Sequence, residues 1–368
     1  MWATGAGDFA IWWLTNREPP TLALAAPSEA RRGVVPVTVQ LDPPDRARIV
    51  DANVDGQPLV PGQRIEVDTV ALPDGPHSVT VTAEDTSWRK NRATARATIM
   101  SDNTPPRLAV ESQPGQVEQG HTWVLQIRSS EPATVNATLG DRKLEVQPGN
   151  GFGWAIVGFR PETPTAMLPL VVEGTDAAGN RGEQALSLQV TEGKFDLDRV
   201  DVPASMLPML GPDVRAAEDQ RLAAFYKEVT RPRLWEGRFA LPVRGPVVTR
   251  FGEQRSYNNG PIVPHHNGTD FAVPSGQPVL APARGKVVLV DTVPLRGNVV
   301  ILDHGLGVFT TYGHLLSADV QVGQVVERSQ PFAKVGSSGL STGPHLHWEL
   351  WVLGENVDPL EWTERELP

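Results

Sequence analysis

Apolar residues in this chain recur mostly with a period of two. Val35, Val37, Val39 and Leu41 fall on one face of an extended run. Ser78-Val79-Thr80-Val81-Thr82 alternates, as do 93–99 and 184–190, and Pro, Gly, Asp and Asn bound the runs. That pattern predicts short, half-buried strands. The stretches 286–290 and 298–302 are nearly continuous in apolar residues and predict strands buried on both sides. Further strands are predicted over 247–252 and, after Gly305 and Gly307, over 308–312. In Pro344-His345-Leu346-His347-Trp348-Glu349-Leu350 the alternation puts His345 and His347 on one face and Leu346, Trp348 and Leu350 on the other.

Two segments break the rule. Residues 214–229 predict a helix capped by Asp213, with Leu222, Phe225, Tyr226 and Val229 as its apolar stripe and Pro232 as its stop. The stripe reads as a packing face on a neighbouring domain, or as a latch over a site. Near the start, 9–14 is apolar but short and lacks the basic flank of a signal peptide. It reads either as a first strand or packing segment, or as the remnant of an export signal or membrane anchor.

The region 17–193 holds an internal repeat. Pro19-Pro20-Thr21-Leu22 is echoed by Pro105-Pro106-Arg107-Leu108, and Val81 to Asp85 by Val172 to Asp176. Each echo is followed by a turn, at Asn91-Arg92 or Asn180-Arg181, and then by an alternating strand. Copies of this size predict two β-sandwich modules. The turn from Asp176 to Asn180 resembles that of bacterial immunoglobulin-like domains. The expected order is an N-terminal segment 1–16, modules 17–101 and 102–193, a helical connector 194–234 and a C-terminal domain 235–368. The fold class is mainly β.

A length of 368 residues suits two or three domains, and 40% hydrophobic content suits folded cores. The net charge of −10 speaks against nucleic acid as a partner, because phosphate contacts need a basic surface. The chain has no cysteine, which excludes disulfides, thiol nucleophiles and thiolate metal sites.

Histidine carries the candidate chemistry. Six of the eight histidines follow residue 264. Two histidines and one carboxylate, His266, Asp270 and His347, are a ligand set suited to a catalytic metal. His314 and His345 remain for proton transfer. No His-Glu-x-x-His is present, so the helical zinc-protease arrangement is excluded. His77 and His121 read as ordinary surface or turn residues. His265 reads as a cleft-wall or solvent residue, His304 as part of a structural turn, and Tyr257 and Asn258 as cleft lining. Asn136-Ala137-Thr138 and Asn267-Gly268-Thr269 match the glycosylation acceptor pattern, and both read as accidental.

The region 245–362 resembles the LytM-type, or lysostaphin-like, zinc endopeptidases of peptidase family M23. The matching residues are Arg250-Phe251-Gly252; His266, Gly268, Asp270 and Phe271; Pro282, Ala283, Gly285 and Val287; Gly297-Asn298, Val300, Leu302 and His304-Gly305; Tyr312 and His314-Leu315; and Gly336, Gly339, then Ser341 through Glu349. The resemblance covers about the last third of the chain. It implies an antiparallel β domain with Zn²⁺ held by His266, Asp270 and His347. It implies a catalytic pair, His314 and His345, that orients the attacking water and stabilises the oxyanion, and leaves open which is the general base. It implies peptidoglycan as partner, cleavage of stem or cross-bridge peptides, and an extracytoplasmic location, secreted or anchored to a membrane. Two other readings stand beside it: a non-hydrolytic regulator of another wall hydrolase, a kind of relative that usually lacks the ligands, and an adhesion protein whose sandwich modules do the work.

Overall fold

The computed structural model describes residues 5–110, 115–149, 151–263 and 265–368. The chain divides into two compact units. The first contains residues 1–109, 129–135 and 172–184, and the second contains 110–128, 136–171 and 185–368.

In the first unit, two sheets face each other. One joins the strands Thr21–Ala25, Val34–Asp42 and Arg64–Asp68. The other has five strands built around Ala47–Val54, Gly75–Asp85 and Arg92–Ser101. The predicted period of two decides the packing. Val35, Val37 and Val39 point inward with Ile65 and Val67, and meet Ala52, Val54, Val79, Val81 and Ile99 from the facing sheet. Each of these valines and isoleucines, fully buried, contributes about 1.5–3 kcal/mol.

Two expectations change here. The apolar start lies in a helix, Gly5–Thr15, and is not a strand. Apolar residues in an unbroken run carry no period that separates strand from helix. The backbone carbonyl of Leu14 accepts from the indole of Trp88 at 3.0 Å, and Trp12 lies 5.1 Å from the Arg46 guanidinium. Of the N-terminal segment, residues 1–4 lie outside the described residues. His77, read as a surface residue, is buried. Its Nδ1 lies 2.6 Å from Asp55 Oδ2, and its Nε2 contacts Pro73 O and Ser101 Oγ at 2.7 and 3.0 Å.

Between residues 108 and 191 the chain forms a five-stranded and a four-stranded sheet. Within the second unit, Trp154 and Ile156 from this region enter the C-terminal core. The buried Thr122 N–H donates to Glu361 Oε2 at 2.8 Å, and the Trp362 indole donates to Thr122 Oγ1 at 3.0 Å.

The C-terminal region of the second unit is built around one large antiparallel sheet. Its main path runs Val247–Thr249, Thr269–Phe271, Leu346–Val352, Val308–Ala318, Gly297–Asp303, Gly285–Val293 and Val325–Val326. Leu346, Trp348 and Leu350 join Tyr312, Val300, Leu302 and Phe332 in the core on one face. The opposite face carries Ile301 and Phe309, and the connector helix Pro212–Tyr226 covers them with Leu222 and Tyr226. Cover on both faces is why 298–302 reads as continuously apolar. Gly285–Val293 departs from that expectation: Val287 is buried but Val290 is exposed, and a bulge lies between Val287 and Leu289.

The connector helix ends at Tyr226, short of the predicted 229, so Val229 is exposed and outside the stripe. Asp213 lies within the first turn, and Pro212 opens the helix, whose fixed φ suits that position. Tyr226 stacks on Trp351, with ring centroids 4.1 Å apart and planes 7° from parallel, and bonds Thr311 Oγ1 at 2.7 Å. Trp351 shares its strand face with His347 and Glu349. The helix therefore packs on the face that carries the predicted site.

Candidate active site

Strand register brings the predicted ligands together. Asp270 pairs directly with His347 across the sheet, and Gly313 pairs with His347 on the other side. Directly opposed residues project to the same face. His266 lies four residues before Asp270, in the loop leading to that strand. The loop must pass close to its neighbour: a Cβ on Gly268 would sit 2.4 Å from Trp348 O.

Three donor atoms converge. His266 Nε2 is 3.1 Å from His347 Nδ1 and 3.2 Å from Asp270 Oδ1, and His347 Nδ1 is 2.8 Å from the same oxygen. All three residues are buried. A tetrahedral zinc site with bonds of 2.0–2.1 Å has ligand–ligand edges of about 3.3 Å. The triangle is close to that size, and its chemistry of two imidazoles and one carboxylate suits zinc, so the residues fit the metal.

The far side of each of these three side chains is also held. His266 Nδ1 lies 3.1 Å from Arg250 O. His347 Nε2 lies 2.8 Å from Glu349 Oε1, the carboxylate–histidine arrangement that orients a metal-ligating ring. Arg296 Nε donates to the same Glu349 oxygen at 2.6 Å, and Arg296 Nη1 donates to Glu218 Oε1 of the connector helix at 2.8 Å. Glu218 also accepts from the backbone N–H of Leu295 and Arg296 at 2.6 and 3.2 Å. On the other flank, Arg255 Nη2 donates to Asp270 Oδ2 at 2.7 Å, and Asp198 lies 3.6 Å from Arg255 Nε.

These surroundings set the charges. Burial, then the Arg255 guanidinium, push His266 down to about 4, so it is a neutral imidazole at neutral pH. Burial would raise Asp270, but His266 and His347 outweigh it and hold the carboxyl well below its usual range. Burial opposes ionisation of Glu349 as well, and Arg296 and His347 still bring it down to about 2.

The two remaining imidazoles stand beside this triangle. The ring of His314 is 4.5 Å from that of His345 and 5.7 Å from that of His347. His314 Nδ1 is 2.8 Å from Ser338 O, and His345 Nδ1 is 2.8 Å from Gly343 O. A carbonyl only accepts, so each Nδ1 carries a proton. Burial and the neighbouring imidazoles push His314 down to about 3. His314 also has φ +58°, an uncommon backbone conformation for a residue with a side chain. A cleft of ≈ 240 Å³ is lined by Asp270, His314 and His345, with Arg255 and Tyr257.

The sequence reading did not foresee Glu349, Arg296, Arg255 or Glu218 as site residues. Period two from His345 and His347 puts Glu349 on their face, and that was the one available signal. Tyr257 lines the cleft as expected, whereas Asn258 instead holds the connector, through Val202 N and O at 2.8 and 3.0 Å. His265 contacts Glu162 at 2.9 Å. His304 is fully buried between Arg284 O and Thr310 Oγ1, as a structural residue should be.

An antiparallel sheet presenting two histidines and a carboxylate, with two more imidazoles at hand, has the donor set of a single-metal hydrolase. Residues 264–359 match the model of Peptidase family M23, and this part of the chain is an M23 peptidase domain. The chain is 40% identical over 116 residues to peptidoglycan DD-endopeptidase ShyB of Vibrio cholerae, covering 31% of this chain and 27% of that protein. It is 39% identical over 129 residues to murein hydrolase activator EnvC of Escherichia coli, covering 35% of this chain and 30% of that protein. The matched stretches thus span less than a third of either relative. A Pseudomonas aeruginosa structure assigned to peptidase M23 aligns with 27% identity and a TM-score of 0.49, over 67% of this chain and 94% of that one.

Proposed function

We propose that the protein is a zinc-dependent endopeptidase acting outside the cytoplasm on peptide bonds of peptidoglycan. The observation that carries this reading is the convergence of His266 Nε2, Asp270 Oδ1 and His347 Nδ1 beside the His314–His345 pair. His266, Asp270 and His347 would hold the metal. When bound there, zinc supplies Lewis-acid polarisation at the reacting carbonyl. One of His314 and His345 would accept the proton of the attacking water at its Nε2. The imidazolium so formed donates back to the developing oxyanion or the leaving amine. Glu349 and Arg296 fix the His347 ring, and Arg255 fixes the Asp270 carboxylate. The similarity to ShyB supports peptidoglycan peptide as substrate. The module limits 17–101, 102–193, 194–234 and 235–368 belong to the same proposal, with the sandwich modules presenting the peptidase domain to the wall.

The similarity to EnvC favours a second reading, in which the domain activates another wall hydrolase. One experiment separates the two. Bound zinc is quantified in the purified full chain, and release of soluble peptides from purified peptidoglycan is followed by mass spectrometry, with His345→Ala alongside. The enzyme reading expects about one zinc per chain and a loss of release of about 10²-fold or more in the variant. Zinc without release from the unaltered chain overturns it in favour of the activator.

A further inference from the structure

Beside the donor triangle the connector helix contributes a wall of its own. A space of ≈ 60 Å³ borders His266, His347 and His314, and Arg215 of the helix lines it. Such a space takes a few water-sized groups. His314, Arg255, Tyr257 and Leu340 line both this space and the ≈ 240 Å³ cleft, so the two adjoin next to the triangle.

Three arginines reach the smaller space: Arg215, Arg255 and Arg296. Two of them are held by carboxylates of the protein. Arg255 donates to Asp270 and lies 3.6 Å from Asp198, and Arg296 donates to Glu349, Glu218 and Asp219. Among the described residues Arg215 makes neither a hydrogen bond nor an ion pair.

Arg215 does not lack candidates on its own helix. Side chains three and four positions on are its neighbours, and these are Glu218 and Asp219. Both are turned to other donors. Glu218 Oε2 accepts from Leu295 N, and its Oε1 accepts from Arg296 N and Arg296 Nη1. Asp219 Oδ1 accepts from Arg296 Nη1 at 3.2 Å. Arg215 therefore presents a half-buried guanidinium to the cleft with no anion of the protein upon it.

We propose that Arg215 binds a free carboxylate of the peptide substrate, an inference that rests on the reading of the domain as one that acts on peptidoglycan peptides. The chain carries a net charge of −10, so its overall field does not draw in an acidic peptide, and recognition of one falls to a local cation. A guanidinium meets a carboxylate with two parallel N–H···O bonds, and a partly dry wall strengthens them. A peptide whose carboxylate is amidated gains nothing from this charge. Arg215 lies outside residues 264–359, so the connector sets part of the substrate preference of the peptidase domain.

The test uses the full chain and a cross-linked stem-peptide dimer isolated from peptidoglycan, with its carboxylates either free or converted to methylamides. Binding is measured calorimetrically in the His345→Ala background, so it is read whether or not the chain hydrolyses the dimer. The acid form is expected to bind about 10–100-fold more tightly than the amide. Arg215→Gln, which keeps a good helix former, abolishes that preference, and Arg215→Lys, which keeps the charge without the fork, retains part of it. Circular dichroism of both variants matches that of the parent. With His345 intact, Arg215→Gln raises KM for the acid form about tenfold or more and leaves kcat in place, as the loss of an interaction made equally in ground and transition states does. No binding of the acid form, equal binding of acid and amide, or an acid preference that survives Arg215→Gln overturns the proposal. Failure of the hydrolase reading shows separately, as no release of peptide by the unaltered chain, and the binding comparison still decides the role of Arg215.

Discussion

Glu218 belongs to the connector, yet it is two side chains removed from a proposed metal ligand. Replacing it by Ala removes the acceptor for Leu295 N, Arg296 N and Arg296 Nη1. Two buried N–H groups left without a partner cost about 1–3 kcal/mol each. The Arg296 guanidinium keeps Glu349 and Asp219, at 2.6 and 3.2 Å, so it is not stranded. The expected loss of stability is therefore about 3–5 kcal/mol, at the level of breaking a buried ion pair. The second consequence is the diagnostic one. With its inner anchor gone, Arg296 still reaches Glu349 but is held less rigidly, and so Glu349 orients the His347 ring less well. Zinc affinity falls about 10–100-fold, as it does when outer partners of a metal site are lost. Urea unfolding of the zinc-free full chain measures the first effect, and competition with a chromophoric chelator measures the second. A variant that loses stability but binds zinc within about twofold of the parent would refute the relay, leaving Glu218 a purely structural contact.

Three further outcomes are expected. Gly268→Ala forces a Cβ to within 2.4 Å of Trp348 O, so thermal unfolding should reveal about 1–3 kcal/mol of lost stability, and zinc content should fall because the loop bearing His266 must shift. Tyr226→Phe keeps the stack on Trp351 and loses only the bond to Thr311, so urea unfolding should show a loss of about 0.5–1.5 kcal/mol with zinc content unchanged. The bond to Asp55 raises His77 above its ordinary 6.5, against burial. The folded state then binds this proton more tightly, so the stability His77 adds over His77→Gln is full below pH 6.5 and is lost as pH rises through the raised value. Melting curves of the two proteins across about pH 5–8 should converge toward the alkaline end, and divergence there would contradict the assignment.

The sequence was most informative where one residue's role depends on near neighbours. Period two placed Val35, Val37 and Val39, and also Val79 and Val81, in a buried core, because a strand needs no distant partner to show its two faces. His266 and Asp270 were readable as a pair because only four residues separate them. Roles set by distant contacts were not readable. Glu218 reaches Leu295 across 77 residues, and Arg255 reaches Asp270 only because the turn before the sheet folds back. His77 looked like an exposed turn residue because its partners Asp55 and Ser101 come from other strand ends. Val229 matched the helical spacing but lies beyond the last turn of the helix, where spacing confers no burial.

The connector reaches the proposed ligands from both flanks with the same alternation of charge. On one side Glu218 holds Arg296, which holds Glu349, which holds His347. On the other, Asp198 lies in the strand Leu197–Val200, which pairs in parallel with Gln254–Tyr257, and it faces Arg255, which holds Asp270. Each arginine stands between a connector carboxylate and a second carboxylate, Glu349 beside the donor triangle or Asp270 within it. A chain beginning at Trp235 would keep both arginines and lose Asp198, Glu218 and Asp219. Two guanidinium groups would then lie near His266, His347 and Asp270 with fewer negative charges against them. Arg255 already lowers His266, second only to burial. In a partly dry site such unbalanced positive charge acts over several ångströms, and it acts most strongly against a divalent cation. The connector's carboxylates therefore do more than hold the helix and strand in place. If His266, Asp270 and His347 hold a metal as proposed, these carboxylates would keep the donor triangle receptive to it, and a chain beginning at Trp235 is expected to bind zinc more weakly than the full chain, as competition with a chromophoric chelator would measure.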